Sequence, residues 1–320
     1  MWAIRQHAFG GPEQLHYEEV PDPEPGAGQV RVRVSAAGVH VVDTAIRRGE
    51  PGPFPPPDLP MTPGREVAGS VDRTGDGVDP SWLGRAVVVH LGMASGGYAE
   101  LALAEASSLQ AVPDGLDADG AVAMIGTGRT TMSILDRAAP TTDDVVLVTA
   151  AAGGIGTLLV QAAVGAGATV VAAAGGPHKV DVARGLGADV AVDYDRPDWP
   201  EEVRAAVDGR DVSLVYESVG GRIGEAAVAL LGAGGTLAVN GWSSGTPLEI
   251  DEAALADRGV QVAPWVRPTD LRPLEDRALA AAASGALTPV VGPPFDLADA
   301  ADAHRAVETR ATIGKTVLHP

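Results

Sequence analysis

A run of small residues, Ala152-Gly153-Gly154-Ile155-Gly156, lies where an apolar strand candidate, Val145–Thr149, gives way to an apolar helix candidate, Ile155–Val164. Glycines at such a turn let backbone amides and the amino end of the helix approach a pyrophosphate closely. The segment therefore predicts a dinucleotide-binding βα turn with phosphate contacts from Ala152 to Gly156. A tight βα turn that binds nothing is the alternative interpretation.

The end of the next strand candidate, Thr169–Ala173, bears on which dinucleotide would bind. An NAD-specific site has Asp or Glu about 20 residues after the glycines, where the carboxylate accepts a hydrogen bond from the ribose 2′-hydroxyl. This chain instead has Ala174-Gly175-Gly176-Pro177-His178-Lys179. Gly175 leaves room for a 2′-phosphate, and His178 and Lys179 could bind it, so the pattern favours NADPH. Lys179 as an ordinary solvated helix residue is the alternative.

A second motif, Gly241-Trp242-Ser243-Ser244-Gly245, matches the G-x-S-x-G turn that exposes the nucleophile of many serine hydrolases. That turn must run directly into a helix, whereas Thr246-Pro247-Leu248-Glu249-Ile250 follows here. The motif follows the strand candidate Thr236–Val239, and a cofactor-binding loop at a strand end is the favoured interpretation over a serine nucleophile.

Composition excludes several function classes. The 320 residues include no cysteine, which rules out disulfides, thiolate metal sites and cysteine nucleophiles. The 42 acidic against 23 basic residues give a net charge of −19, which disfavours nucleic acid and anionic membranes as partners. Residues 145–176 carry no formal charge, but glycines divide them into strand, helix and strand. The amino terminus lacks a signal-peptide pattern, so a soluble, cytoplasmic protein is expected.

The elements that must position these motifs change character near residue 120. Beyond it, strands alternate with Ala- and Leu-rich helices in steps of about 20–25 residues, which predicts right-handed βαβ crossovers and a doubly wound parallel sheet. The strand candidates are Val145–Thr149, Thr169–Ala173, Asp189–Asp193, Asp211–Tyr216, Thr236–Val239 and Val260–Ala263.

The first third of the chain is β-rich. Gln29–Val34 alternates valine with polar residues, which predicts a half-buried strand. Prolines between Pro51 and Pro63 exclude a helix or a central strand, so an ordered loop is expected there. Residues 273–320 hold two helix candidates and a final strand near Lys315–Leu318. They are too few for a core of their own and are expected to rejoin the first region.

Six motifs follow one another in a recognisable order. They are Gly38-Val39-His40-Val41-Val42-Asp43, Arg47-Arg48-Gly49, Pro63-Gly64-Arg65-Glu66-Val67-Ala68-Gly69, Gly96-Gly97-Tyr98-Ala99-Glu100, the glycine turn and Gly314-Lys315-Thr316-Val317-Leu318. This order resembles the zeta-crystallin-like quinone oxidoreductase branch of the medium-chain dehydrogenase/reductase superfamily, over essentially the whole chain. The resemblance implies an α/β protein: a GroES-like β-rich catalytic domain (residues 1–120 and 265–320) plus an inserted Rossmann domain with a doubly wound parallel sheet (residues 121–264).

The same resemblance implies an NADPH-dependent reductase that transfers hydride to a quinone or an α,β-unsaturated carbonyl compound. It also implies a cofactor cleft between the domains and a homodimer. Further positions that match cofactor-contacting segments are Thr130, Tyr194, Ser218, Val219, Asn240, Gly241, Trp242, Ser243, Val262, Ala263, Pro264 and Lys315. A non-catalytic NADPH-binding protein with a structural or regulatory role is the alternative.

The candidate catalytic residues are His40, Asp43 and Arg47, which the resemblance places near the substrate carbonyl. A polar donor there would stabilise the enolate that hydride addition leaves. His40 could donate a hydrogen bond or a proton near neutral pH, or it could only orient the nicotinamide ribose or carboxamide. Asp43 and Arg47 stand four residues apart, which is also the spacing of a structural ion pair.

Departures from relatives affect two expectations. Zinc-dependent relatives carry a Cys in the segment that corresponds to Gly38–Asp43 and a His where Arg65 stands, so no metal is expected here. The family commonly has Asn where His40 stands and aromatic residues where Ala45 and Pro51 stand. A wider substrate cleft, less able to stack a flat quinone ring, is therefore expected.

Overall fold

The computed structural model describes residues 1–50, 57–92, 95–264 and 268–320. Within them the chain forms two compact units, residues 1–127 with 290–320 and residues 128–289. The second unit thus begins at 128, where the sequence predicts 121, and ends at 289, where the sequence predicts 264.

The first unit is β-rich, and its sheet runs in the order β14-β15-β3-β4-β5-β7 among the described residues, with β6 also paired to β3. A separate antiparallel pair, β1 and β2, forms the hairpin near the amino terminus. The strands are β1 (Trp2–Gln6), β2 (Leu15–Glu19), β3 (Gln29–Val39), β4 (Glu66–Thr74), β5 (Ala86–His90), β6 (Leu101–Glu105), β7 (Gln110–Ala111), β14 (Phe295–Asp296) and β15 (Thr316–His319). The helices are α1 (Val41–Arg48), α2 (Ala118–Ala123) and α10 (Ala300–Glu308).

Strand β3 shows the expected alternation, with one exception. Val30 and Val32 are fully buried in the core. Arg31 is also buried, although its polar character predicts a solvent-facing position, because its guanidinium binds the Asp72 carboxylate on β4. Nε donates to Oδ1 at 2.9 Å and Nη2 donates to Oδ2 at 3.1 Å. The strand continues to Val39, so His40 follows directly at its end.

The second unit is a doubly wound α/β sheet, as the sequence predicts. Its strands run in the order β10-β9-β8-β11-β12-β13, all parallel. The chain order reverses between β8 and β11, and open α/β sheets bind ligands at the carboxyl ends of the strands beside such a reversal. The strands are β8 (Val145–Val148), β9 (Thr169–Ala174), β10 (Val190–Asp193), β11 (Val212–Glu217), β12 (Leu231–Val239) and β13 (Gln261–Val262). The helices are α3 (Arg129–Arg137), α4 (Gly154–Gly165), α5 (Pro177–Gly185), α6 (Trp199–Ala206), α7 (Gly221–Leu230), α8 (Glu252–Asp257) and α9 (Arg272–Ala283).

Helix α9 accounts for the later end of the second unit. The sequence predicts that it rejoins the β-rich region, whereas it packs on α3. Arg277 donates to both carboxylate oxygens of Asp136 at 2.9 and 2.8 Å, and Arg129 donates to Glu275 at 3.0 Å. Only residues 290–320 rejoin the first unit, where β15 pairs antiparallel with β3.

Among the described helices, none is long and apolar enough to cross a membrane.

Candidate functional site

One close contact between helix and strand shapes the turn after β8. A Cβ on Gly156 would lie 2.2 Å from the carbonyl oxygen of Ala150, which is too close for any side chain. Ala150 has a φ of +49°, a left-handed conformation that costs an L residue about 1–2 kcal/mol. Gly153 caps α4 without a side-chain bond. The turn is therefore a cradle of backbone atoms at the amino end of a helix, which suits a phosphate group.

Glu217 connects the end of β11 to the end of β8 by hydrogen bonds, although no sequence motif includes it. The buried carboxylate accepts hydrogen bonds from the amides of Val219 at 2.7 Å and Gly220 at 3.0 Å, and from Thr149 Oγ1 at 3.2 Å. Burial raises its pKa, although these hydrogen bonds oppose the rise. Its acidic character at the end of an otherwise apolar strand was the available signal.

Ser218 lies directly after Glu217, at the carboxyl edge of the sheet. Its Oγ is buried and has no hydrogen-bond partner among the described residues. Leaving a buried hydroxyl unpaired costs about 1–3 kcal/mol, so the position favours a bound polar group. Together with the cradle at Gly156, this hydroxyl fits the phosphate and sugar groups of a dinucleotide.

The sequence at the end of β9 has no carboxylate, but the structure places one there from the segment that follows β10. A Cβ on Gly175 would lie 2.8 Å from Oδ2 of the exposed Asp195 and 2.9 Å from the ring of Tyr194, both of which follow β10. Asp193 Oδ1 accepts the amide of Gly176 at 2.8 Å and thereby fixes the start of α5. The prediction from the β9 sequence alone did not include this neighbouring acid. His178 is exposed and Lys179 is half-buried on the first turn of α5.

Most of the other positions that the resemblance assigns to the cofactor lie along the same edge of the second unit. The Ser243 amide donates to the carbonyl of Ser218 at 3.1 Å, which joins the loop after β12 to the loop after β11. Trp242 beside it is 60% exposed. The residues that follow these strands are Tyr194, Val219, Asn240, Gly241, Trp242, Ser243, Ala263 and Pro264, with Val262 at the end of β13. Thr130 lies on α3, and Lys315 belongs to the first unit.

In the first unit, His40, Glu66 and Lys315 form a compact group, called here the His40 cluster. Glu66 Oε1 lies 2.8 Å from His40 Nε2 and also contacts Lys315 Nζ, and Nζ lies 3.0 Å from Nε2. Glu66 and Lys315 are buried, whereas the His40 side chain is 21% exposed. Burial would raise the pKa of Glu66, but His40 and Lys315 outweigh it and hold that pKa well below its usual range.

The Asp43 carboxylate fixes the amino end of α1, which begins just after His40. Oδ2 accepts the backbone amide of His40 at 2.8 Å and the hydroxyl of Tyr98 at 3.4 Å. Oδ1 accepts Arg65 Nε at 3.2 Å. Asp43 therefore orients the segment that carries His40.

A buried chain of hydrogen bonds continues from Tyr98 to Arg47. Tyr98 Oη lies 3.1 Å from His304 Nε2, and Arg47 Nη1 lies 3.3 Å from His304 Nδ1. An arginine can only donate, so Nδ1 accepts, and Nε2 donates to Tyr98. Burial first, and then the charge of Arg47, lowers the pKa of His304 to about 4, although Asp43 opposes the shift. His304 is therefore neutral at pH 7.

The three candidate catalytic residues have different environments. Only His40 keeps an exposed part of its side chain, since Asp43 and Arg47 are 5% and 1% exposed. The structural pair between Asp43 and Arg47 does not form, because Asp43 binds Arg65 while Arg47 binds Glu308, His304 and the carbonyl of Gly10. Direct catalytic roles for Asp43 and Arg47 stay predictions.

The expected wide substrate cleft and the expected absence of a metal both concern residues of the first unit. Ala45 lies half-buried on α1, and Pro51 lies outside the described residues. Among the residues that the structure describes, no group of three or more His, Cys, Asp or Glu side chains is placed to hold a metal ion. Arg65, where zinc-dependent relatives have a His, is engaged by Asp43.

Comparisons with known proteins agree in both units. Residues 26–114 match the family described as the alcohol dehydrogenase GroES-like domain, and residues 154–284 match the family described as zinc-binding dehydrogenase. A quinone oxidoreductase of Pseudomonas aeruginosa is 32% identical over 99% of both chains. A 2-haloacrylate reductase of a Burkholderia species is 33% identical over 98% of this chain and 97% of that protein. The crystal structure of Escherichia coli quinone oxidoreductase complexed with NADPH has a TM-score of 0.87 and 30% identity, and covers 100% of both chains.

The cradle yields a prediction with a matched control on the same helix. Gly156→Ala should destabilise the second unit by about 1–3 kcal/mol, because the new methyl group meets the Ala150 carbonyl. Gly165→Ala, at the last residue of α4 with nothing within 4 Å of its Cβ, should leave stability unchanged or raise it slightly. Urea unfolding of both variants checks this. Equal stability in the two variants would contradict the close contact.

The buried His304 yields a prediction on pH. The unfolded chain takes up a proton near pH 6.5, whereas the folded protein resists it down to about pH 4. Stability should therefore fall between pH 6.5 and 4 by up to about 3 kcal/mol, and it should be fully present above that window. Urea unfolding across this range should show a smaller decrease for His304→Gln than for the wild type. The exposed-site variant His16→Gln should keep the wild-type slope, and an unchanged slope in His304→Gln would refute the assignment.

Proposed function

We propose, from the premise that this chain belongs to the quinone oxidoreductase-like branch of the medium-chain dehydrogenase/reductase superfamily, that it is an NADPH-dependent reductase that needs no metal. Its substrates are quinones or α,β-unsaturated carbonyl compounds. The observation that carries the proposal is the backbone cradle beside the unpartnered Ser218 hydroxyl, at the sheet edge where dinucleotides bind. Full-length relatives named quinone oxidoreductase and 2-haloacrylate reductase support the reaction class.

Each part of the cofactor has a proposed partner in the second unit. Bound NADPH supplies the hydride. The amides of Gly153–Gly156 and the amino end of α4 hold the pyrophosphate. Lys179 binds the 2′-phosphate near Gly175, where the phosphate must displace the exposed carboxylate of Asp195, and Ser218 gains a partner for its buried hydroxyl.

His40 serves the substrate in this proposal. Hydride addition to the β-carbon of an enone places an electron pair on the α-carbon and carbonyl oxygen, and one proton completes the reduction. His40 is the candidate that combines a titratable ring with an exposed surface. It donates a hydrogen bond or the proton to the developing enolate and regains a proton from water.

The activity itself is tested by following NADPH oxidation with quinones, enones and 2-enoyl thioesters. Turnover with at least one class is expected, because the second unit carries a dinucleotide cradle and the first unit carries a candidate proton donor. Activity should persist in a chelator, and elemental analysis should find no stoichiometric zinc. Turnover with none of the three classes, or one tightly bound zinc per chain, would overturn the proposal.

Cofactor preference is tested by a pair of opposite substitutions. Lys179→Ala should weaken NADPH binding about 10- to 100-fold and leave NADH binding nearly unchanged, because a charge-assisted contact to phosphate contributes about 1.5–3 kcal/mol. Asp195→Asn should tighten NADPH binding, because it removes a negative charge close to Gly175. Fluorescence titration with both cofactors measures this. Equal affinity of the wild type for NADPH and NADH would contradict the proposed preference.

Substrate choice is tested at position 45. Ala45→Tyr should raise kcat/KM for benzoquinone relative to a bulky enone, because the ring narrows the cleft and offers a stacking face. Wild type and variant are compared with both substrates. If the ratio of the two kcat/KM values does not change, position 45 does not line the substrate site.

A further inference from the structure

The Glu66 carboxylate lies in a slot that two glycines form. A Cβ on Gly38 would lie 2.0 Å from Oε1, and a Cβ on Gly126 would lie 2.0 Å from Oε2. Gly126 belongs to a π-helical turn, Met124–Gly128, and such local widenings of a helix are frequent at functional sites. A side chain at either glycine would displace the carboxylate. The backbone at two distant points of the chain is thus shaped around one acidic side chain.

Three atoms of the His40 cluster form a triangle of short contacts. Oε1 of Glu66 is 2.8 Å from His40 Nε2 and closer still to Lys315 Nζ. The longest side, 3.0 Å, joins the two nitrogens. With a proton on Nε2, both short sides join opposite charges, and only the longest joins like charges. With a bare Nε2, the same atom accepts a hydrogen bond from Lys315 Nζ, which can only donate, so the cluster accommodates both the protonated and the neutral ring.

We propose that Glu66 and Lys315 are positioning residues for His40. Glu66 stabilises the protonated imidazole of His40, and Lys315 balances the charge of Glu66 when the imidazole is neutral. The inference rests on the proposed function, in which His40 serves the enolate.

The role of Lys315 follows from the cost of burying an unpaired charge. If Glu66 were balanced by His40 alone, loss of the imidazole proton would leave a fully buried carboxylate uncompensated, at a cost of several kcal/mol. Lys315 keeps the cluster neutral when His40 is neutral. His40 can then give up a proton and regain it without disturbing the buried pair. This assigns Lys315 a role beside His40, where the resemblance implies a contact to the cofactor.

Other charged groups near His40 stay constant in the test. His90 on β5 pairs with Glu66 in the strand register, and its Nδ1 accepts the amide of Gly92 at 3.0 Å. Asp43 on α1 accepts the His40 amide and is paired with Arg65. Changes confined to Glu66 and Lys315 therefore report on the cluster itself.

The test is an NMR titration of the His40 imidazole in the protein without cofactor, with its signal assigned by its loss in His40→Asn. Glu66→Gln should move the midpoint of the titration down by about one pH unit, because only the ammonium remains beside the ring. Lys315→Met should move it up by about one unit, because only the carboxylate remains. The double variant Glu66→Gln/Lys315→Met should lie between the two. The exposed His16 signal is the control and should stay unchanged.

Opposite shifts would show that the charges of Glu66 and Lys315 both act on the His40 imidazole. Shifts in the same direction, or midpoints that do not move, would overturn the inference. If Glu66→Gln fails to fold, the comparison of Lys315→Met with the double variant still decides, since the double variant must titrate lower. The titration and the turnover assay can fail separately. Opposite shifts without NADPH oxidation would support the role of Glu66 and Lys315 and contradict the proposed function. Turnover without the shifts would support the proposed function and contradict the role of Glu66 and Lys315.

Discussion

A charge can be buried only when an opposite charge is buried with it, and the first unit depends on this constraint throughout. Its buried charged residues each contact a group of opposite sign: Arg31 with Asp72, Asp43 with Arg65, Arg47 with Glu308, and Glu66 with Lys315. Breaking such a pair costs about 3–5 kcal/mol, because the remaining charge stays in the interior. Two of these pairs join the amino-terminal region to residues 290–320. The carboxyl-terminal segment is therefore held to the rest of the first unit by two ion pairs as well as by the pairing of β15 with β3.

Features of the fold that depend on neighbouring residues could be predicted from patterns in the sequence. The parallel strands of the second unit are apolar on both faces, and turn residues separate them, so their positions could be predicted closely. The glycine turn could be predicted because the close contact of α4 with the Ala150 carbonyl requires glycine at position 156. Helix α9 was misassigned because an alanine-rich helix gives no sign of its partner. Its place is decided by Arg277 with Asp136, a contact between residues 141 positions apart.

The polar groups of the candidate site were harder to predict for the same reason. Spacing on α1 suggests that Asp43 and Arg47 pair, yet each finds a partner from a distant segment. The end of β9 lacks an acid, yet the next strand brings Asp195 to it. Glu66 belongs to a recognisable motif, but its slot between two glycines and its contact with Lys315 depend on four separate parts of the chain. Motifs identify such residues, and only the tertiary structure shows which of them act together.

The division of the chain into one interrupted unit and one continuous unit has a consequence for its synthesis on the ribosome. Residues 128–289 form their unit as one continuous segment, so all of that unit has been synthesised while the carboxyl-terminal segment is still being made. The first unit is incomplete at that stage, because it includes residues 290–320. Until residues 290–320 emerge, the end of β3 at Ala37–Val39 has no β15 beside it, and Glu66 lacks its lysine. The half that begins synthesis first is thus the half that completes its structure last.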